Sequence, residues 1–208
     1  MIAVSEFFPR LMPYVIGCSE PMAAQALVDS AIAFCNDSLV MQLRLDAQRT
    51  QANAAEFDVD PPSSQAIARV LRVWVEGVEI HATQSDRIND GLAATGRPRT
   101  FYTQQNGSVL SALLYPTPDA AYALQVDVAT RPLRNAKVFE NDLFDLWLEP
   151  IVDGAKARLM AIPDQPFSNP SMAGAAAANA MYLSRKARIE GSYGRTRAAG
   201  RVQMRPLA

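Results

Sequence analysis

The chain has 208 residues, of which 49% are hydrophobic and 20% are charged, with a formal net charge of −1. This composition is typical of a globular domain that buries a core without disulfides or metals. The sequence contains no run of 18 apolar residues, the pattern that would predict a membrane span. Seven of the 20 basic residues but only one of the 21 acidic residues follow position 184, so the first 184 residues carry a net charge of −7. An acidic body with a basic end predicts an interaction tail.

The two cysteines, Cys18 and Cys35, are too few for a disulfide framework, and Cys35 lies within a helical pattern of apolar residues. The N-terminus lacks a basic segment followed by an apolar stretch, so we expect no signal peptide. A chain of this kind is expected to fold in a reducing cytosol.

Helical spacing of apolar residues begins after Ser19, a suitable N-cap, and Pro21 would lie in the first turn. The pattern predicts a helix from 20 to about 36, or at most to 40. Residues 42–60 are polar, with late alternation at Phe57 and Val59, and predict an extended excursion or an edge strand.

The middle of the chain has the signals of β-hairpins. Residues 66–75 and the VEIHA run flank Glu76-Gly77, while residues 100–104 and 108–115 flank Asn106-Gly107, and both dipeptides favour tight turns. Alternation over 124–128 adds a half-buried strand. These patterns predict an antiparallel sheet of four or five strands.

Helical patterns return over 142–149 and 151–161 and predict one kinked helix or two consecutive helices, with Pro150 at the junction. Ser171 would cap a long alanine-rich helix that reaches about Ile189 and ends at Gly191. The last 17 residues have no periodicity and are expected to be disordered alone.

This order of elements predicts an α+β fold, described as an α-helical bundle with an inserted antiparallel β-sheet and an extended C-terminal tail. The N-terminal helix is expected to pack with the C-terminal pair. Residues 1–191 would form one domain, helical over 1–40 and 140–191, with a β insert over about 55–132. Residues 192–208, the basic tail, would extend from it.

Candidate catalytic residues are few. His81 is the single histidine and lies in a predicted strand, which excludes a Ser-His-Asp triad elsewhere and makes a zinc site unexpected. A carboxylate cluster could serve glycoside hydrolysis, but its spacing is also that of the polar face of an amphipathic helix; it comprises Glu140, Asp142, Asp145, Glu149 and Asp153. We therefore predict no catalytic, cofactor-binding or metal-binding residue, with a peptidoglycan-degrading hydrolase as one alternative.

The basic tail is arginine-rich and has few aromatic residues. It could bind nucleic acid, which is a second alternative, although the acidic body would repel phosphate. An acidic protein partner suits it equally, because the guanidinium fork pairs with carboxylates. The predicted partner-binding residues are Tyr193, Arg195, Arg197, Arg201, Val202, Met204, Arg205 and Leu207.

Three segments resemble the head-to-tail adaptor, or connector, proteins of short-tailed phages (podoviruses). They are GRPRTFY at 96–102, LLYPTPDAAYALQVDVATRPL at 113–133, and IVDGAKARLMAIPDQPF at 151–167, followed by the alanine-rich helix and the basic tail. The resemblance runs loosely from position 60 onward and involves a pattern of turns and helices, with no catalytic signature.

The resemblance implies a structural virion protein that forms a dodecameric ring under the portal, with its C-terminal tails along the portal subunits. A tail nozzle or tail-tube protein would attach below, and DNA would pass through the channel without sequence-specific binding. It further implies synthesis in the host bacterial cytoplasm, a place at the head-tail interface of the virion, a role in retaining the genome, and no membrane contact.

Overall fold

The structure is a computed structural model that describes residues 1–84, 94–106 and 109–193. Helices lie at both ends of the chain: α1 (Phe8–Leu11), α2 (Glu20–Ser38), α3 (Asn141–Asp145), α4 (Leu148–Met160) and α5 (Pro170–Tyr193). Two 3-10 turns, Val4–Phe7 and Met12–Tyr14, flank α1. The strands are β1 (Ile2–Ala3), β2 (Gln42–Arg44), β3 (Gln48–Arg49), β4 (Glu56–Val59), β5 (Gln65–Val75), β6 (Val78–Ala82), β7 (Thr100–Asn106), β8 (Val109–Tyr115), β9 (Ala123–Pro132) and β10 (Val138–Phe139).

Eight of these strands form one curled sheet in the order β2-β9-β5-β6-β7-β8-β4, and β3 also pairs with β9. Most neighbouring strands are antiparallel, but β6 and β7 run parallel, with His81 opposite Thr100 and Ala82 opposite Phe101. The small strands β1 and β10 form a separate two-stranded sheet.

The predicted α-helical bundle with an inserted antiparallel sheet is therefore wrong. The eight-stranded sheet is the main unit, mixed and curled into a half-barrel. It has a hydrophobic core of its own, made of Val59, Val73, Val75, Ile80, Phe101, Ala112, Leu114, Leu124, Val126 and Val128. The prediction undercounted the strands because β2 and β3 are short, exposed and polar, and such strands lack the alternation that marks a half-buried one.

The helices form a second core beside the sheet, and α2 packs against α4 and α5 as expected. Ser30 Oγ on α2 donates a 2.6 Å hydrogen bond to the carbonyl of Ile151 on α4. Phe7 packs edge-on against Phe139 and Phe144, with ring centroids 5.4 and 5.2 Å away. The N-terminal turns are thereby tied to the segment that enters the C-terminal helices.

Helix boundaries differ from prediction where proline is involved. The first long helix is confirmed and ends at Ser38, and the φ of 54° at Leu39 gives a left-handed C-cap. The C-terminal helices break at Trp147, and Pro150 lies in the first turn of α4, where its missing N–H costs nothing. Asn169, instead of Ser171, caps α5 by accepting a 3.1 Å hydrogen bond from the amide of Met172.

Both predicted hairpins are confirmed in their strands. Glu76 and Gly77 have φ values of 52° and 74°, the pair of positive angles that a type I′ hairpin turn requires. In the second hairpin, Asn106 pairs with Val109 across the turn, and residues 107–108 of that turn lie outside the described residues.

Candidate interaction surfaces

The five carboxylates of the hydrolase alternative are divided between structural contacts and solvent. Glu140 accepts a 2.9 Å hydrogen bond from Gln65. Asp153 forms a 3.0 Å ion pair with Lys156 and accepts a 2.6 Å hydrogen bond from Asn179. The other three, Asp142, Asp145 and Glu149, are exposed on α3 and at the start of α4. Exposed carboxylates on consecutive helical turns are the pattern of a polar helix surface.

His81 lies in β6 with an exposed side chain. Over the described ranges 1–84, 94–106 and 109–193, no three His, Cys, Asp or Glu side chains come together in a way that would hold a metal ion. The same ranges contain no helix that is both long and apolar enough to cross a membrane.

Both cysteines are free and buried in the structure. Burial raises the pKa of the Cys35 thiol to about 12, an effect that Arg131 only partly opposes. Burial also raises the pKa of Cys18. Because the thiolate is the nucleophilic form, these two thiols are poor nucleophiles at neutral pH.

The predicted partner-binding residues lie at and beyond the end of α5. Tyr193 is the last residue of that helix. The other seven lie outside the described residues, namely Arg195, Arg197, Arg201, Val202, Met204, Arg205 and Leu207. The last turn of α5 lies against the start of β2, where Gln42 Nε2 donates a 3.4 Å hydrogen bond to the carbonyl of Gly191. The described part of the chain therefore ends close to this junction, at Tyr193.

Helix α5 carries an apolar surface that the sequence patterns did not predict. Its inner side, with Ala173, Ser184 and Ala187, is buried against the other helices. Elsewhere the helix exposes four large apolar side chains by 47 to 65%: Met172, Met181, Tyr182 and Ile189. Tyr182 and Ile189, seven residues apart, lie on the same side of the helix, and we call this side the α5 face. Apolar side chains that cluster on an exposed surface are a feature of interaction sites. Because the helix is rich in alanine, its helical hydrophobic period is weak and the face is hard to recognise from sequence.

A groove runs beside the start of α4 and the end of α5. It consists of two cavities of about 470 and 420 Å³ that share Leu146, Trp147 and Glu190 in their walls. We call it the acidic groove because it is lined by Asp142, Asp145, Glu149 and Glu190, with Lys186 as its one basic residue. The sequence showed the acidic run, but only the fold brings Glu190 beside it.

Comparison with known proteins gives one family. The family model described as SU10 adaptor protein matches residues 5–206, which includes both helical ends, the sheet and almost all of the basic tail. No curated protein matches the chain significantly. The family match confirms the sequence resemblance at the level of a phage adaptor. With nearly the whole length matched, the chain belongs to the SU10 adaptor protein family, whose members are phage adaptors and virion components.

Proposed function

We propose that this chain is a structural subunit that assembles as a ring, dodecameric by the resemblance above, between the portal and the tail of a short-tailed phage. The α5 face is the observation that carries the proposal. Four large apolar side chains lie exposed on one helix of 24 residues, and subunit interfaces are where such surface is normally covered. Membership of an adaptor family supports other virion proteins as the partners that cover this surface.

A ring requires each subunit to present two different surfaces, because its contacts are head-to-tail. The α5 face would be one of them, covered by the neighbouring copy. Residues 1–191 would then form the adaptor domain, and the ring would surround the channel through which DNA passes without sequence-specific binding. A tail nozzle or tail-tube protein would attach below, so that the ring helps to retain the genome.

The basic tail, residues 192–208, would bind the portal. The 15 residues that follow α5, 194–208, span at most about 54 Å when extended, enough to reach well beyond the subunit. Tyr193, Val202, Met204 and Leu207 would supply apolar anchors. Charge-assisted hydrogen bonds to portal carboxylates would offset the ordering of the segment; the donors would be Arg195, Arg197, Arg201 and Arg205.

The test is removal of the basic tail by ending the chain after Gly191. The shortened protein should stay folded, because both hydrophobic cores lie upstream, and it should no longer sediment with the purified portal. Arg205→Ala is the matched control, since one exposed ion pair contributes only about 0–1 kcal/mol, and it should still bind.

Co-sedimentation of the shortened chain with wild-type affinity would show that the tail does not bind the portal. Degradation of purified peptidoglycan by the full-length protein would contradict a purely structural role. Salt-dependent binding of duplex DNA by the isolated protein would favour the nucleic-acid alternative.

A further inference from the structure

The acidic groove offers an apolar floor that is left uncovered by the part of the chain that the structure describes. Leu146 is 45% exposed there, and Trp147 is half-buried between the two cavities. Leu183 and Val40 continue this apolar surface on either side. A groove of this shape fits an extended segment of polypeptide that carries both apolar and charged side chains.

The charge of the groove selects a basic occupant. Four carboxylates and one ammonium group, that of Lys186, line the groove, which leaves an excess of three negative charges. None of the four, Asp142, Asp145, Glu149 and Glu190, forms an ion pair or accepts a side-chain hydrogen bond from another described residue. An arginine-bearing segment would therefore find acceptors that are not already engaged.

Such a segment begins at the edge of the groove. Glu190 lines both cavities, and α5 ends three residues later at Tyr193. The fifteen residues that follow, 194–208, contain four arginines and no acidic residue, together with Val202, Met204 and Leu207. The segment begins with Gly194, a residue type that readily lets a chain change direction after a helix.

We propose that, before assembly, the acidic groove holds residues 194–208 of the same chain, and that portal binding displaces them. The proposal rests on the proposed role of the tail in portal binding and describes how that role is regulated. A short tether gives the chain's own tail an effective concentration in the millimolar range. The tail of a second copy lacks this advantage, and its body, with a net charge of −5 over residues 1–193, is repelled by the body of the first copy.

The groove contains its own reporter, because Trp147 is one of only two tryptophans. The experiment uses the full-length protein with Trp74→Phe, so that emission comes from Trp147 alone. Ala199→Cys introduces a thiol within the tail for a nitroxide label, which quenches tryptophan fluorescence at short range. Buried Cys18 and Cys35 should stay unlabelled, and a labelling reaction on the protein without Ala199→Cys verifies this.

We expect quenching of Trp147 that does not change with protein concentration. Emission should recover to the unlabelled value in about 1 M NaCl, where the Debye length is about 3 Å. Neutralising the groove with Asp142→Asn, Asp145→Asn, Glu149→Gln and Glu190→Gln should also abolish quenching. Neutralising four exposed acids elsewhere should not; the matched set is Glu6→Gln, Glu20→Gln, Asp46→Asn and Asp60→Asn.

Absence of quenching in the labelled protein at low salt would overturn the proposal. Quenching that rises with concentration would overturn it as well, by assigning the groove to the tail of a second copy. Equal loss of quenching in both neutralised sets would show a net-charge effect without a specific groove. The measurement needs no portal, so the proposed function can fail while the groove still binds the tail, and the reverse also holds.

Discussion

Gly154 sets how closely α4 approaches α2. A Cβ atom at this position would overlap Ser30 Oγ, whose hydroxyl is fixed by its 2.6 Å hydrogen bond to Ile151. The overlapped atom is therefore held in place and cannot easily rotate away. The sequence showed Gly154 only as an isolated glycine within a helical pattern, since the partner that requires it lies 124 positions earlier in the chain.

Gly154→Ala is expected to lower the free energy of unfolding by about 1–3 kcal/mol, the usual cost of overpacking a core. Gly174→Ala is the matched control in α5, where an added Cβ meets nothing within 4 Å. It should raise stability by about 0.5–1 kcal/mol, because alanine favours the helix over glycine. Urea unfolding monitored by circular dichroism measures both variants.

A second change distinguishes steric overlap from a general helix effect. Ser30→Ala removes the overlapped oxygen and leaves the Ser30 Cβ position 3.3 Å from the added methyl. In the Ser30→Ala background, Gly154→Ala should therefore cost clearly less than in the wild type. An equal cost in both backgrounds would mean that the Gly154–Ser30 contact does not limit the packing of these helices.

Cys35 makes stability depend on pH above the ordinary range of thiol titration. Burial raises its pKa from 9.0 to about 12 in the folded protein, so only the unfolded chain loses this proton near pH 9. The contribution is fully present below the unfolded pKa and is lost as pH rises toward the folded pKa. The free energy of unfolding should thus fall as pH rises from about 9 toward 12, and Cys35→Ala should show a smaller fall. If the free energy of unfolding falls equally with pH in the wild type and in Cys35→Ala, Cys35 is not the cause of the pH dependence.

At the scale of elements, the sequence predicted what local signals encode. The helix at Glu20–Ser38 follows from a cap and a clear apolar period, and the Glu76-Gly77 hairpin follows from turn chemistry. The short strands β2 and β3 do not follow from local signals, because their pairing with β9 is decided by residues about 75 to 90 positions away. Tertiary pairing of this kind overrides weak local preference.

The candidate surfaces were predictable to different degrees for the same reason. The basic tail is a property of composition and is visible in the sequence itself. The acidic groove joins α3, α4, the end of α5 and the residues before β2, so it exists only once the chain is folded. Predicting the α5 face requires knowledge of which side of an alanine-rich helix is buried. The residues on the buried side, Ala173, Ser184 and Ala187, give little hydrophobic signal in the sequence.

At the scale of the whole molecule, two cores support one subunit with a strongly uneven charge. Residues 1–184, with a net charge of −7, repel the same residues of another copy, while the basic end lowers the net charge of the whole chain to −1. We expect the purified protein to be a monomer at micromolar concentration, and raising ionic strength should favour association by screening that repulsion. Sedimentation velocity at low and high salt measures this, and a stable ring at low salt without portal would contradict it.

Assembly on the portal should depend on the α5 face. Tyr182→Ser and Ile189→Ser replace side chains that are 65 and 60% exposed in the single chain, so stability should change by no more than about 0.5 kcal/mol each. If the neighbouring copy covers this face, loss of the two apolar side chains weakens every contact between neighbouring copies in the ring. The double variant should then bind the portal without forming a closed ring. Val78→Ser removes a 56% exposed side chain from the β5–β6 hairpin and should assemble normally. Native mass spectrometry of each protein mixed with portal counts the bound copies. A full ring from the double variant would assign the contact between copies to another surface.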